Sequence, residues 1–580
     1  MVALRRVAVL LIMLTLVVIS SGLAQAQTGL VTCTATAVPP VVRAEGIAEL
    51  VGDIVLTCLP TIGAPAQPAF QTNISVALNV NVTNNIEFTT PDVITDAVLV
   101  INENNCTTPS TSGSVITPCD DPLFQDPQFG RLADVNRLEW DEVLFPFPGA
   151  ETGPGSGIFY PSITTVRVTS VRANASQLGV PDQATFPSTQ ITAFVSITGP
   201  TTIPITNNVL NVAVPILGLI VTLDEDAPIT GLQCLDTEGH TFINLKEGFA
   251  TSFKTLGVPT FLTGQTQWES GYYAPGSNNG GGASQPTRFL IRFFNIPEGL
   301  TVEVPKYINH GSELVTEDAL AIRLVAGADA NGSGGNATSG TDNQTVSISG
   351  GFGSATYEVE DADPFRIEDC DVWVWFSWEA DTVNDSPAVG SGQVSATFAP
   401  LSTVVVADDG EPEPRFIDTG GDPATIISII RCTTTLLFPF VTNRSDFDTG
   451  IAISNTSKDW LGTDPQAGAC TLHYHGSTTG GGAAPPDQTS TVIAGGEQLV
   501  LTLSGGSPTQ NIAGAPEFQG YIIAVCEFQF GHGFAFLTDG FGGIPALAQG
   551  YLALVIPTTD DGNRVAGVPN LHLFGESLSH

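Results

Sequence analysis

Residues 73–83 alternate strictly, with Ile74, Val76, Leu78, Val80 and Val82 apolar and the intervening positions polar or small. A period of two with one polar side predicts a half-buried antiparallel strand. The same alternation returns at 191–197, around Val166 and Val168, at 394–398 and at 499–503. Helical periodicity is confined to the N-terminal apolar run and to 245–256, where Phe249 and Phe253 stand four apart and Gly257 can end the turn. This predicts one short helix beside a sheet. With 61 glycines and 40 prolines punctuating the strands, the pattern is that of an all-β chain of tandem β-sandwich or open-barrel domains.

The first 26 residues follow a different logic. Arg5 and Arg6 precede an apolar stretch over 7–20, and Ala24-Gln25-Ala26 follows. These are the parts of a secretory signal helix cleaved after Ala26, since the apolar stretch of about 14 residues falls short of the roughly 20 that span a bilayer. A secreted or cell-surface protein with no stable membrane span after cleavage is expected.

Within the remainder, the acidic, proline-rich stretch 407–423, containing Asp408-Asp409-Gly410-Glu411-Pro412-Glu413-Pro414, is expected as a linker. A softer boundary falls at Asp224-Glu225-Asp226-Ala227-Pro228. The expected β-domains are therefore 27–223, 224–406 and 424–580. Glycine-rich stretches at 278–283 and 478–484 read as loop tips.

The formal charge is −39, and loss of Arg5 and Arg6 with the leader takes it to −41. Such a field repels nucleic acid and anionic lipid, and it attracts divalent cations. Charged residues are nevertheless 13% against 42% apolar, so the chain has the means to bury cores.

Nine cysteines without a C-x-x-C in an exported chain read as disulfides. Nearness along the chain suggests Cys33 with Cys58, Cys106 with Cys119, Cys234 with Cys370 and Cys470 with Cys526, leaving Cys432 over.

Several stretches resemble a family of secreted β-rich proteins of environmental bacteria that has no established activity. They are Arg43-Ala44-Glu45-Gly46 with 49–58, then 324–332, and 438–443 continued by 447–456. The resemblance implies export and β-architecture and brings no catalytic residue. Taken by themselves these motifs read as structural: Asp448-Thr449-Gly450 is a turn before an alternating strand, and Gly46 and Gly52 bracket a strand ending in Cys58.

Candidate chemistry is sparse. No G-x-S-x-G occurs, and the seven histidines offer few bases. His473 and His475 share one side of a strand, and with His532 they form a set able to hold zinc or copper, or else lie on a solvated face. Asp329, Asn331 and Ser333 match the opening of an EF-hand-type loop, but Gly340 stands where its glutamate belongs, so calcium competes with a plain glycine-rich loop. Trp373 and Trp375 point to one side of a strand and Phe376 with Trp378 to the other. That pair is either a ligand platform or part of a buried strand.

Three functions stay open. A non-enzymatic structural or adhesive surface protein, with self-association or an extracellular polymer as partner, fits best. A carbohydrate- or ligand-binding module is the alternative. A secreted hydrolase comes last, because no motif selects a pair among the many carboxylates.

Overall fold

A computed structural model describes residues 30–62, 67–102, 128–182, 189–234, 237–257, 268–269, 283–309, 320–380, 386–406, 411–463, 465–539 and 547–556. The expected leader with its Ala26 cleavage site, and Cys106 and Cys119, lie outside these residues. The described chain is all-β, and its helical elements are two short 3-10 turns, Ala175–Leu178 and Pro508–Gln510.

Three buried cores follow one another along the chain. The first belongs to a continuous curled sheet. Its order runs Ile205–Thr206, Val31–Ala37, Ile54–Pro60, Thr164–Thr169, Ile94–Ile101, Gln128–Asp134, Arg137–Phe145, Phe70–Leu78, Ile191–Thr198, Val209–Ile216, Val41–Arg43. Ile205–Thr206 begins this order and Val209–Ile216 stands near its end, yet two residues separate them in sequence. The sheet must therefore curl until its ends nearly meet, which wraps the inward residues of all its strands around one apolar interior.

The second core lies between two sheets. One is five-stranded and antiparallel, in the order Leu219–Leu223, Thr237–Glu247, Asp369–Trp378, Thr301–Pro305, Asn343–Thr345. The other includes Ile229–Leu232, Ala424–Ile430, Gly390–Ala399, Arg288–Phe294, Gly353–Asp361 and Ala321–Ala326 in that order. The third core is enclosed by two six-stranded sheets built on Cys470–Thr478 with Phe518–Cys526, and on Asp448–Asn455 with Gly531–Thr538.

Several expectations are corrected. The stretch 245–256 is no helix. Thr237–Glu247 is a strand, with Thr241, Ile243 and Leu245 buried and the residues between them facing out. The chain then turns through Thr251 at φ 77°, a left-handed conformation that no helix interior accepts. Phe253 reaches the core edge-on to Phe289, 4.6 Å between ring centres. Four-residue spacing of two phenylalanines arose from a turn, not from helical winding.

The linker expectation also gives way over its described part, 411–423. Glu413, Arg415 and Phe416 are buried, Phe416 stacks on Phe398 at 4.8 Å, and Ile47 N–H donates to the Arg415 carbonyl at 2.9 Å. Acidic, proline-rich composition favoured a solvated tether. Arg415 and Phe416, which follow Pro414, supply what a packed segment needs.

Leu219–Leu223 and Ala424–Ile430, assigned by sequence to the first and last blocks, hydrogen-bond into the two sheets of the middle one.

Cys234 pairs with Cys432, not Cys370, which is buried and free. Parallel pairing of Ile229–Leu232 with Ala424–Ile430 sets Leu232 beside Ile430, so both cysteines leave the sheet two residues later at the same end. Cys33–Cys58 and Cys470–Cys526 form as expected, each between directly opposed residues of neighbouring strands with Cα atoms 4.0 Å apart.

The first two cores meet at a seam of buried charge. Arg43 donates from Nε to Glu49 Oε1 at 2.8 Å and from Nη2 to Glu269 Oε2 at 3.1 Å, and its guanidinium lies 4.7 Å from the Phe416 ring centre. Glu45 accepts the backbone N–H groups of Gly218 and Leu219 at 2.9 and 3.1 Å. Gly218 cannot carry a side chain there, because a Cβ would stand 2.7 Å from Arg43 Cγ.

Candidate functional site

The outward side of the five-stranded sheet carries the feature that core packing does not explain. Along Asp369–Trp378, Cys370, Val372, Val374, Phe376 and Trp378 are buried, while Trp373 and Trp375 face outward and stay partly exposed. On the neighbouring strand Phe242 lies opposite Trp373 and His240 opposite Trp375. The rings form one cluster: Phe242 and Trp373 are 5.2 Å apart, His240 and Trp373 5.3 Å, and Trp373 and Trp375 6.4 Å, all tilted. Aromatic rings tiled over two adjacent strands make a broad apolar surface on a rigid base.

Polar groups frame this surface. Glu303 lies opposite Trp375 and Glu238 opposite Ser377. Asn244 donates to one oxygen each of Asp369 and Asp371, both at 2.8 Å, and so orients them beside Trp373. Past Ser377 the face opens into a polar cavity of about 700 Å³ lined by Glu238, Glu379, Thr301, Ser377 and Ser386. An apolar tiled surface leading into hydroxyls and carboxylates can hold a ligand that has both a flat apolar side and donor groups.

Of the residues singled out by sequence, Trp373 and Trp375 belong to this cluster. Phe242, His240 and Glu303 were missed, because cross-strand neighbours are far apart in sequence. Only 243–246, Ile, Asn, Leu, Lys, alternates in sequence; at 240–242 the outward phenylalanine and the inward threonine reverse the usual pattern, so no local signal pointed to His240 and Phe242.

The other candidates are dispersed. Asp329 Oδ1 accepts the backbone N–H groups of Asn331 and Ser333, both at 2.9 Å, and Arg288 Nη1 donates to the carbonyl of Gly334 at 2.7 Å. The loop's oxygens thus close its own turn and receive a guanidinium. His473 pairs with Asp487 at 2.8 Å, and His475 stacks on Tyr521 at 4.8 Å. His532 is on the opposite sheet of that unit, so the three imidazoles do not converge. No cluster of three or more His, Cys, Asp or Glu suited to a metal ion occurs among the described residues. Burial pushes the Cys370 thiol well above its ordinary range, which keeps it unreactive.

No protein-family model matches the chain, and no curated protein does. Among solved structures it is similar to the major pilin subunit of Bacillus cereus, at 10% identity over 84% of this chain and 92% of that one, with a TM-score of 0.20. A tip adhesin of Pseudomonas aeruginosa matches at 10% identity over 69% and 99%, TM-score 0.15. A domain of a biofilm-associated protein matches at 7% over 90% and 95%, TM-score 0.15.

Proposed function

We propose that this chain is an extracellular adhesive β-protein that holds glycan on the Phe242, Trp373 and Trp375 surface, and that its role is binding, not catalysis. The observation that carries this reading is the ring cluster itself. The inward side of the same strand is filled by Val372, Val374 and Phe376, so the outward tryptophans are not needed to complete that core. Sugar rings present flat C–H faces that can lie against aromatic rings, whose large apolar area suits such contact. Three disulfides among the described residues require an oxidising compartment, in keeping with the expected leader.

Affinity electrophoresis through gels cast with neutral and amino polysaccharides tests it. The protein should be retarded in at least one gel, and Trp375→Ala should run freely there. Phe365→Ala, at an 85% exposed position elsewhere, should behave as the unaltered protein. Free migration of the unaltered protein in every gel would remove the reading.

A second reading, self-association, is favoured by the C-terminal unit. Val500, Phe534 and Leu552 are 54, 43 and 57% exposed and lie in one row across neighbouring strands through Ala452. Sedimentation over a range of concentrations should show association that Phe534→Glu abolishes. A monomer at every concentration rejects it.

A further inference from the structure

The platform's surroundings narrow its ligand further, and this step rests on the glycan reading above. Around the rings the charged groups are strongly biased to one sign. Glu303 faces Trp375 across the strands, Glu238 stands two residues before His240 on the same side, and Asp371 precedes Trp373. Glu379 joins Glu238 in the cavity beyond Ser377. Among the described residues of Thr237–Glu247 and Asp369–Trp378, the lysine on this side is Lys246, opposite Asp369 at the far end of the pairing. The chain as a whole carries −39, so no distant field offsets this bias.

Three ligand classes can be set against an apolar ring surface with acceptors at its rim. A neutral glycan would use the rings and hydrogen-bond the carboxylates, leaving their charge uncompensated. An anionic glycan such as a uronate polymer would be repelled. A glycan with protonated amines satisfies both parts, because its ring faces lie on the tryptophans while its ammonium groups meet Glu303, Glu238 and Asp371. Ammonium beside an indole face adds a cation–π contribution as well. Asn244 supports the arrangement by holding Asp369 and Asp371 through a single amide.

We infer that the aromatic surface centred on Trp373 and Trp375 is a binding site for amino-sugar polymers with free, protonated amines, the rings taking the sugar faces and Glu303, Glu238 and Asp371 taking the ammonium groups.

Calorimetric titration of the full chain tests this with three probes: a β-linked glucosamine hexamer, its fully N-acetylated counterpart, and hexalysine. The glucosamine hexamer should bind at least 10-fold more tightly than the acetylated one at low salt, and the preference should shrink at 0.5 M salt. Trp375→Ala should weaken both sugars 10-fold or more, whereas Glu303→Gln should weaken only the amine form, about 3-fold. Equal affinity for the two hexamers, or a preference for the acetylated one, overturns the inference while the glycan reading stands. Hexalysine binding as tightly as the glucosamine hexamer, and unaffected by Trp375→Ala, also overturns it, since the face would then be an acidic surface that takes any cation. If neither sugar binds, the inference is overturned, and retardation in the neutral-polysaccharide gels decides separately whether the glycan reading stands.

Discussion

Arg43 shows how much one side chain can hold. It is 1% exposed, and its guanidinium is shared among Glu49, Glu269, the Thr287 hydroxyl and the Ser252 carbonyl. Taking a guanidinium and two carboxylates out of water is costly, so the arrangement stabilises the protein only while complete. Arg43→Met removes the cation bonded to both carboxylates and leaves Glu49 and Glu269 buried with Lys254 3.9 Å from Glu49. The expected loss is about 3–5 kcal/mol of unfolding free energy, measured in urea. Arg292→Met serves as the comparison, since its partner Asp418 is half exposed; that change should cost less than about 1 kcal/mol. Equal effects would mean that the seam contributes no more than a surface pair.

At the scale of elements, the bridge between Cys234 and Cys432 does more than close a loop. It joins the ends of two strands that already pair in parallel, across a sequence separation of 198. A link over so long a loop removes much of the unfolded chain's freedom, and its loss should cost roughly 2–5 kcal/mol. The Cys234→Ala, Cys432→Ala double variant should therefore unfold earlier in denaturant than Cys370→Ala. Non-reducing peptide maps should recover Cys234 bridged to Cys432, with Cys370 alkylated only after unfolding. A Cys234–Cys370 peptide would contradict the strand pairing itself. The Thr237–Glu247 strand teaches a related lesson, because its inward and outward sets fix which groups join the tryptophans. A shift of one residue would bury His240 and Phe242 and expose Ile243 and Leu245.

At the scale of the whole molecule, the first two cores are coupled through titrating groups. Burial, followed by the nearby Glu413 carboxylate, pushes Asp96 well above the usual carboxylate range. Burial likewise pushes Glu247 up to about 7. A carboxyl raised in the folded state binds its proton more tightly there than in the unfolded chain. Its contribution to stability is complete below about pH 4, the unfolded value, and is lost as pH rises through the folded one. Unfolding free energy should thus decline between about pH 4 and the raised folded values. Asp96→Asn keeps an acceptor for Asn84, 2.6 Å away in the native protein, and should flatten that decline. Denaturation curves at half-unit pH steps check this, and an unchanged slope would show that Asp96 does not titrate in the window.

Some of this was legible from sequence alone. Alternation along 73–83 or 499–503 depends only on neighbouring residues, so it identified strands, although the first ends at Leu78 and its last apolar positions continue beyond the strand; with glycine and proline spacing it identified an all-β chain. Neighbouring residues likewise placed Trp373 and Trp375 on one side of their strand. Cys33 with Cys58 and Cys470 with Cys526 were found because each pair lies within one local stretch of strands. What sequence could not provide was pairing between distant strands, because backbone hydrogen bonds between strands carry no residue code and register is decided by burial on both sides at once. Tertiary structure alone therefore joined Cys234 to Cys432 and turned an acidic stretch into part of a buried seam. It also brought Phe242, His240 and Glu303 to the two tryptophans, because side chains more than 60 residues apart meet only once the sheet has formed.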